Sequence, residues 1–137
     1  MRNLTRAAAL FCLLFSTPLD AHHGYSGFFP PTERTVQVEG RLEALHYANP
    51  HVTMSIRASN GRLYAVTWQG ATWLENMAHV TRNTFHVGDH LVVIGAPARD
   101  ESSTEVALVR EVRRPRDGWQ WRSGLSFAPP LSGSAHW

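Results

Sequence analysis

The feature that most constrains the fold is an alternation that starts just after Arg34. Val36, Val38, Gly40, Leu42 and Ala44 share one face, and Gln37, Glu39, Arg41 and Glu43 take the other. A period of two marks a strand with one buried side. Past Ala44 the apolar phase passes to Leu45 and Tyr47. A long strand that carries a glycine and changes face is what a small barrel needs where one strand bends across both halves of its sheet.

The rest of the chain fills in the other elements. Asn49-Pro50 makes a turn, because proline removes a donor and biases its predecessor away from helix. His51 begins a second strand, with Val52, Met54 and Ile56 inward and His51, Thr53 and Ser55 outward. Asn60-Gly61 is a strong hairpin signal, and Tyr64, Val66 and Trp68 line one side of a third strand. Trp73, Met77 and Val80, three and four residues apart with Leu74 beside them, predict one short amphipathic helix with Trp73 in the core. Gly88-Asp89 is a turn. His90 then opens a nearly all-apolar fourth strand, and Glu105 a fifth whose imperfect alternation predicts a bulge. Three strands, a helix and two strands, with the first strand kinked, is the connectivity of an OB-like five-stranded Greek-key barrel. A plain antiparallel sandwich is the alternative.

Residues outside this pattern read differently. Arg2 and Arg6 precede an apolar run over residues 7–15, followed by a polar exit that ends in Ala21. That is the layout of a secretory signal peptide over residues 1–21, too short to span a bilayer, so the product is expected in the periplasm or secreted. Residues 22–33 form an aromatic arm, with Tyr25, Phe28 and Phe29 expected to staple it to the barrel at residues 34–114. Residues 115–137 read as a flexible tail rich in Pro, Gly and Ser, in which Trp119 and Trp121 could pair with the barrel.

Composition excludes several function classes. All 13 basic residues are arginine, so Schiff-base and P-loop lysine chemistry are absent, and a net charge of +2 argues against a nucleic-acid partner. The one cysteine, Cys12, lies inside the leader. No nucleophile motif is present, which leans away from an enzyme. The carboxylates Glu39, Glu43, Asp100 and Glu101 read as solvated surface.

Histidine is the exception, at 8 of 137 residues. Cleavage after Ala21 would make His22 the first residue, followed by His23. A terminal amine and an imidazole on one residue chelate a metal through two nitrogens. A second imidazole completes a histidine brace, a nitrogen site that suits copper. His51, directly after the rigid Asn-Pro turn, is the best third ligand, and His46 is the alternative. Cleavage one residue earlier would place His23 third and give an amide-based copper or nickel chelate instead. His79, His86 and His90 show no metalloprotease spacing and read as structural, with His79 near a helix C-terminus.

Ala21-His22-His23-Gly24, Tyr47-Ala48-Asn49-Pro50-His51, Gly88-Asp89 and Gly95-Ala96-Pro97-Ala98-Arg99-Asp100 resemble a family of small exported bacterial proteins. That family is catalogued as a domain of unknown function, number 6152. Its members often have Ser after the His pair, where Gly24 stands here, and Trp before Asn-Pro-His, where Tyr47 stands. The resemblance implies a small exported β-domain and supplies no activity. The leading expectation is a module that binds a metal ion, copper by ligand type, through His22, His23 and His51. The competing expectation is a metal-free module whose barrel groove holds a small ligand or a protein. An oxidative copper enzyme would need an open coordination position and a substrate surface as well.

Overall fold

The computed structural model describes residues 25–125. Strands β1 (Val36–His46), β2 (Thr53–Ala58) and β3 (Leu63–Thr67) are followed by helix α1 (Ala71–Ala78), then β4 (His90–Pro97), β5 (Glu105–Arg114) and β6 (Trp119–Arg122). β1 pairs antiparallel with both β2 and β4, β2 with β3, and β4 with β5. A short parallel pairing of β3 with β5, Ala65 opposite Glu105 and Val66 opposite Val106, closes the ring. The result is the closed five-stranded barrel with one short helix between strands three and four. Closure is what separates it from a sandwich.

The two bends are built from sequence. In β1 the register runs Leu42 opposite Ile56 and then Ala44 opposite Ser55, so Glu43 is an extra residue. This bulge turns Ala44 outward and moves the change of face one position ahead of where the alternation marks it. Gly40 lies where β1 crosses β2 at closest approach, and a Cβ there would sit 2.2 Å from the Arg57 carbonyl oxygen. In β5 the expected bulge is larger. Ile94 faces Glu111 and Ala96 faces Ala107, so Leu108, Val109 and Arg110 all stand opposite Gly95. Leu108 takes a left-handed φ of 48° to make that turn.

Leu42, Met54, Ile56, Val66, Trp68 and Val93 fill the barrel, and Leu74 of α1 plugs its end with no exposed surface. The helix presents a different stripe from the expected one. Leu74 and the small residues Ala71 and Ala78 face the barrel, whereas Trp73 is 42% and Met77 67% exposed. Both stripes satisfy helical spacing. A helix of two turns laid against a barrel mouth has room for one large plug, and small residues let it approach closely.

The arm is docked. Tyr25–Gly27 forms a 3₁₀ turn, Phe28 bridges to Ala98, and the Phe29 N–H donates to the Pro97 carbonyl at 3.0 Å. The guanidinium groups of Arg34 and Arg99 lie 4.8 and 4.9 Å from the Phe29 ring centroid. At the other end, the pairing open to Trp119 and Trp121 is realised as β6, antiparallel to β5.

Candidate functional site

The segment Tyr47-Ala48-Asn49-Pro50-His51 joins β1 to β2 and is wedged against the start of α1. The buried Tyr47 hydroxyl donates to the Val80 carbonyl at 2.7 Å and reaches that of Ala71 at 3.3 Å. Burial, reinforced by the charge of Glu75, pushes this phenol above its usual range and keeps it a donor. The Ala48 carbonyl accepts the Ala71 N–H, and Asn49 Oδ1 accepts the Thr72 N–H at 3.2 Å, while Asn49 Nδ2 donates to Thr72 Oγ1 at 2.8 Å. Gly70, the N-cap residue, makes no side-chain cap. The helix therefore has its first amides capped by a segment more than twenty residues earlier. The Asn49-Pro50 peptide is cis, and a Cβ on Gly70 would come within 2.7 Å of the Pro50 carbonyl oxygen.

This wedge fixes His51. The Val52 N–H donates to the Gln69 carbonyl and the Trp68 N–H to the Val52 carbonyl, which pins the backbone directly after the ring. His51 Nδ1 lies 3.3 Å from the Trp68 carbonyl oxygen. A carbonyl only accepts, so Nδ1 is the donor in this contact, and in the neutral ring the lone pair is then on Nε2. The ring is half-buried, and Tyr25 meets it edge-on, with centroids 6.4 Å apart at 64°. Sequence reasoning treated Tyr25 only as part of a staple. Its contact with His51 joins two elements far apart in the chain, and no periodicity carries that signal.

The other described histidines sit in different settings. His46 is exposed at the end of β1, opposite Thr53. His79 closes α1 in a left-handed conformation with φ 54°, and the next N–H, of Val80, reaches back to the Leu74 carbonyl. His90 contacts Glu39 at 2.9 Å on the exposed face of β4, and His86 is exposed. His22, His23 and His136 lie outside the described residues, as do residues 1–21, expected above to be a signal peptide, and the end of the tail. Among the described residues no group of three or more His, Cys, Asp or Glu side chains could hold a metal ion. Nor is any helix among them long and apolar enough to cross a membrane.

A second feature was missed by sequence reasoning. An open groove of about 530 Å³ lies between α1 and β6, lined chiefly by Trp73, Met77, Leu108, Trp121 and Leu125. Trp73 and Trp121 meet edge to face at 6.4 Å, and Trp121 rests on the buried Trp68 at 5.1 Å. Trp119 and Trp121 were legible as residues that could pair with the barrel, but the expected helix stripe turned Trp73 inward.

The sequence was also compared with known families and curated proteins. The family of unknown function DUF6152 matches residues 10–107, well over half of the chain. The chain belongs to DUF6152. The match takes in the Tyr47–His51 wedge, the Gly88-Asp89 turn and β4, whereas β6 lies beyond it. In this member of DUF6152, Tyr-Ala-Asn-Pro-His thus has a structural role besides any chemical one: it caps the plug helix and orients an imidazole. No curated protein matches the chain.

Proposed function

We propose that this protein is an exported β-barrel binding module that holds a metal ion, copper by ligand type, through His22, His23 and His51 once the leader has been removed. The observation that carries the reading is the placement of His51. Its Nδ1 lies 3.3 Å from the Trp68 carbonyl oxygen, which leaves Nε2 as the nitrogen that could coordinate, and the arm leading to His22 packs Tyr25 against the same ring. Orientation of a ligand imidazole through its second nitrogen is the usual outer-shell arrangement of metal-binding histidines. His22 lies three positions before Tyr25, a reach of at most about 11 Å. The terminal amine and imidazole of His22 would supply two nitrogens, His51 Nε2 a third, and His23 would stand adjacent.

The test begins with mass spectrometry of the exported protein, which should start at residue 22. Copper titration of that form is then compared with titration of a form retaining one extra N-terminal residue. The longer form can chelate copper through its own amides, so the discriminating readout is dependence on His51. His51→Ala should weaken binding by the His22-first form and leave the longer form unchanged, and equal insensitivity in both removes the brace. The apolar groove favours a second reading, a metal-free module for a small ligand or a protein. That reading takes over if the His22-first form shows no affinity for copper.

A further inference from the structure

We infer that the groove between α1 and β6 binds an amphipathic carboxylate, with its apolar body against Trp73 and Trp121 and its charged end at Arg122. The inference goes beyond the copper reading and shares none of its residues, so either can fail without the other. The groove begins as a change of partner within one strand. Before its bulge β5 pairs with β3, at Glu105 and Val106, and after it with β6, from Glu111 to Arg114. β3 and β6 therefore part at the bulge, and Leu108 and Val109 line the gap. Leu108 holds its left-handed φ of 48° at that point, a conformation rare for leucine, and strain of this kind gathers at functional sites.

The apolar part of the ligand follows from the walls. Helix α1 leaves Trp73 and Met77 exposed, and the indoles of Trp73 and Trp121 stand at 87° to each other. Met77, Leu108 and Leu125 extend this corner, so the lining takes apolar surface. At about 530 Å³ the space lies within the range of small-ligand sites, roughly 300–1,000 Å³. The hydroxyls of a sugar would find few partners here, since Gln69 and Ser123 are the uncharged polar side chains of the lining. Charge decides the other end. Arg122 is the one charged side chain in the lining among the described residues, and it is 64% exposed. Its Nε and Nη2 both meet Glu111 Oε2 at 2.9 Å, whereas its Nη1 has no partner among the described residues. Glu111 Oε1 meets Arg113 Nε at 3.0 Å. One carboxylate between two guanidinium groups leaves the rim with an excess of positive charge. A ligand carboxylate at Nη1 finds a free donor and an unbalanced charge, and a quaternary ammonium, which an indole corner could otherwise hold, is repelled.

The experiment uses the full chain as recovered from cells expressing it, with its methionine methyls isotopically labelled. Decanoate, decanol and decyltrimethylammonium, which share a decyl chain, are titrated below the onset of micelles. Affinity is read by calorimetry and location by the Met77 methyl resonance, with the buried Met54 methyl as internal reference. Decanoate should bind about fivefold more tightly than decanol, the scale of an exposed ion pair, and decyltrimethylammonium more weakly than either. Only the Met77 methyl should shift. Trp73→Ala, at an exposed helix position, should weaken decanoate about tenfold. Arg122→Gln should bring decanoate level with decanol and leave decanol binding unchanged, which an unfolded variant would not do. Equal affinity for the three probes, a shift at Met54 instead of Met77, or no binding of decanoate overturns the inference. So does a Met77 shift on concentrating the protein alone, which gives the groove to a second copy.

Discussion

Asn49 illustrates how one side chain can serve fold and site together. Its carboxamide satisfies a first-turn amide of α1 and the Thr72 hydroxyl, and the turn it begins delivers His51 to the Trp68 carbonyl. Removal of a capping side chain costs about 1 kcal/mol. Asn49→Ala should therefore lower the unfolding free energy by about that amount in urea titration, with an unchanged m-value. Asn49→Asp keeps the acceptor and adds charge favourable to the helix N-terminus, so it should retain most of the stability. The sequence marks Asn49-Pro50 as a turn, and a turn forms. That it is also a cap was not legible, because its partner Thr72 is 23 positions away and a side-chain hydrogen bond at that distance leaves no periodic trace. Gly40 was easier to read, since a glycine inside an alternating strand has few reasons to be there, and close approach to the Arg57 carbonyl is one of them.

At the scale of elements, the loop entering β4 is tied to the end of β5 by a buried ion-pair cluster. The Asp89 side chain is 2% exposed and meets Arg114 at 3.2 Å and Arg116 at 3.0 Å. It also accepts the His86 N–H at 3.0 Å. Arg114 in turn pairs with Asp117 at 2.9 Å, donates to the Thr84 carbonyl, and lies over the rings of Phe85 and Trp119. Burial alone would raise the Asp89 carboxyl. The His86 amide and the two guanidinium groups outweigh it, and the group is held below its ordinary range. The sign of the pH dependence follows. As pH falls, the unfolded chain takes up this proton first, near pH 4, so the stability contributed by Asp89 is complete above that point. It is lost as pH falls through the lower pKa of the folded state. Asp89→Asn should cost about 2 kcal/mol at neutral pH, because the charged contacts to Arg114 and Arg116 are lost while Asp117 still pairs with Arg114. Denaturant unfolding repeated between neutral pH and pH 3 should show a shallower acid decline in the variant. Sequence reading found the Gly88-Asp89 turn but not the pair, because burial of a carboxylate depends on which arginine arrives from another strand. Helix α1 shows the same limit from the other side. Its helical character follows from spacing, yet the choice between the Leu74 stripe and the Trp73–Met77 stripe is made by the barrel mouth.

At the scale of the whole molecule, the metal reading makes a thermodynamic demand that separates His51 from the terminal chelate. The amine and imidazole of a first-residue His22 would bind copper in the unfolded chain as well as in the folded one. A ligand with equal affinity for both states stabilises neither. Only the extra affinity that folding confers can raise the melting temperature, and here that extra is the placement of His51 Nε2 within reach of the arm. If folding raises copper affinity about 30-fold, the stabilisation corresponds to about 2 kcal/mol. For a domain of this size that is a rise of about 10 °C in Tm at saturating copper. His51→Ala should still bind copper at its terminus but melt at the same temperature with and without it. Calorimetry on the two proteins, each with and without one equivalent of copper, reads the difference directly. A rise of equal size in both would assign the stabilisation to some other ligand set. A rise in neither would reduce copper to a passenger on the N-terminus and leave the Trp73–Trp121 groove as the feature of the barrel that still calls for a ligand.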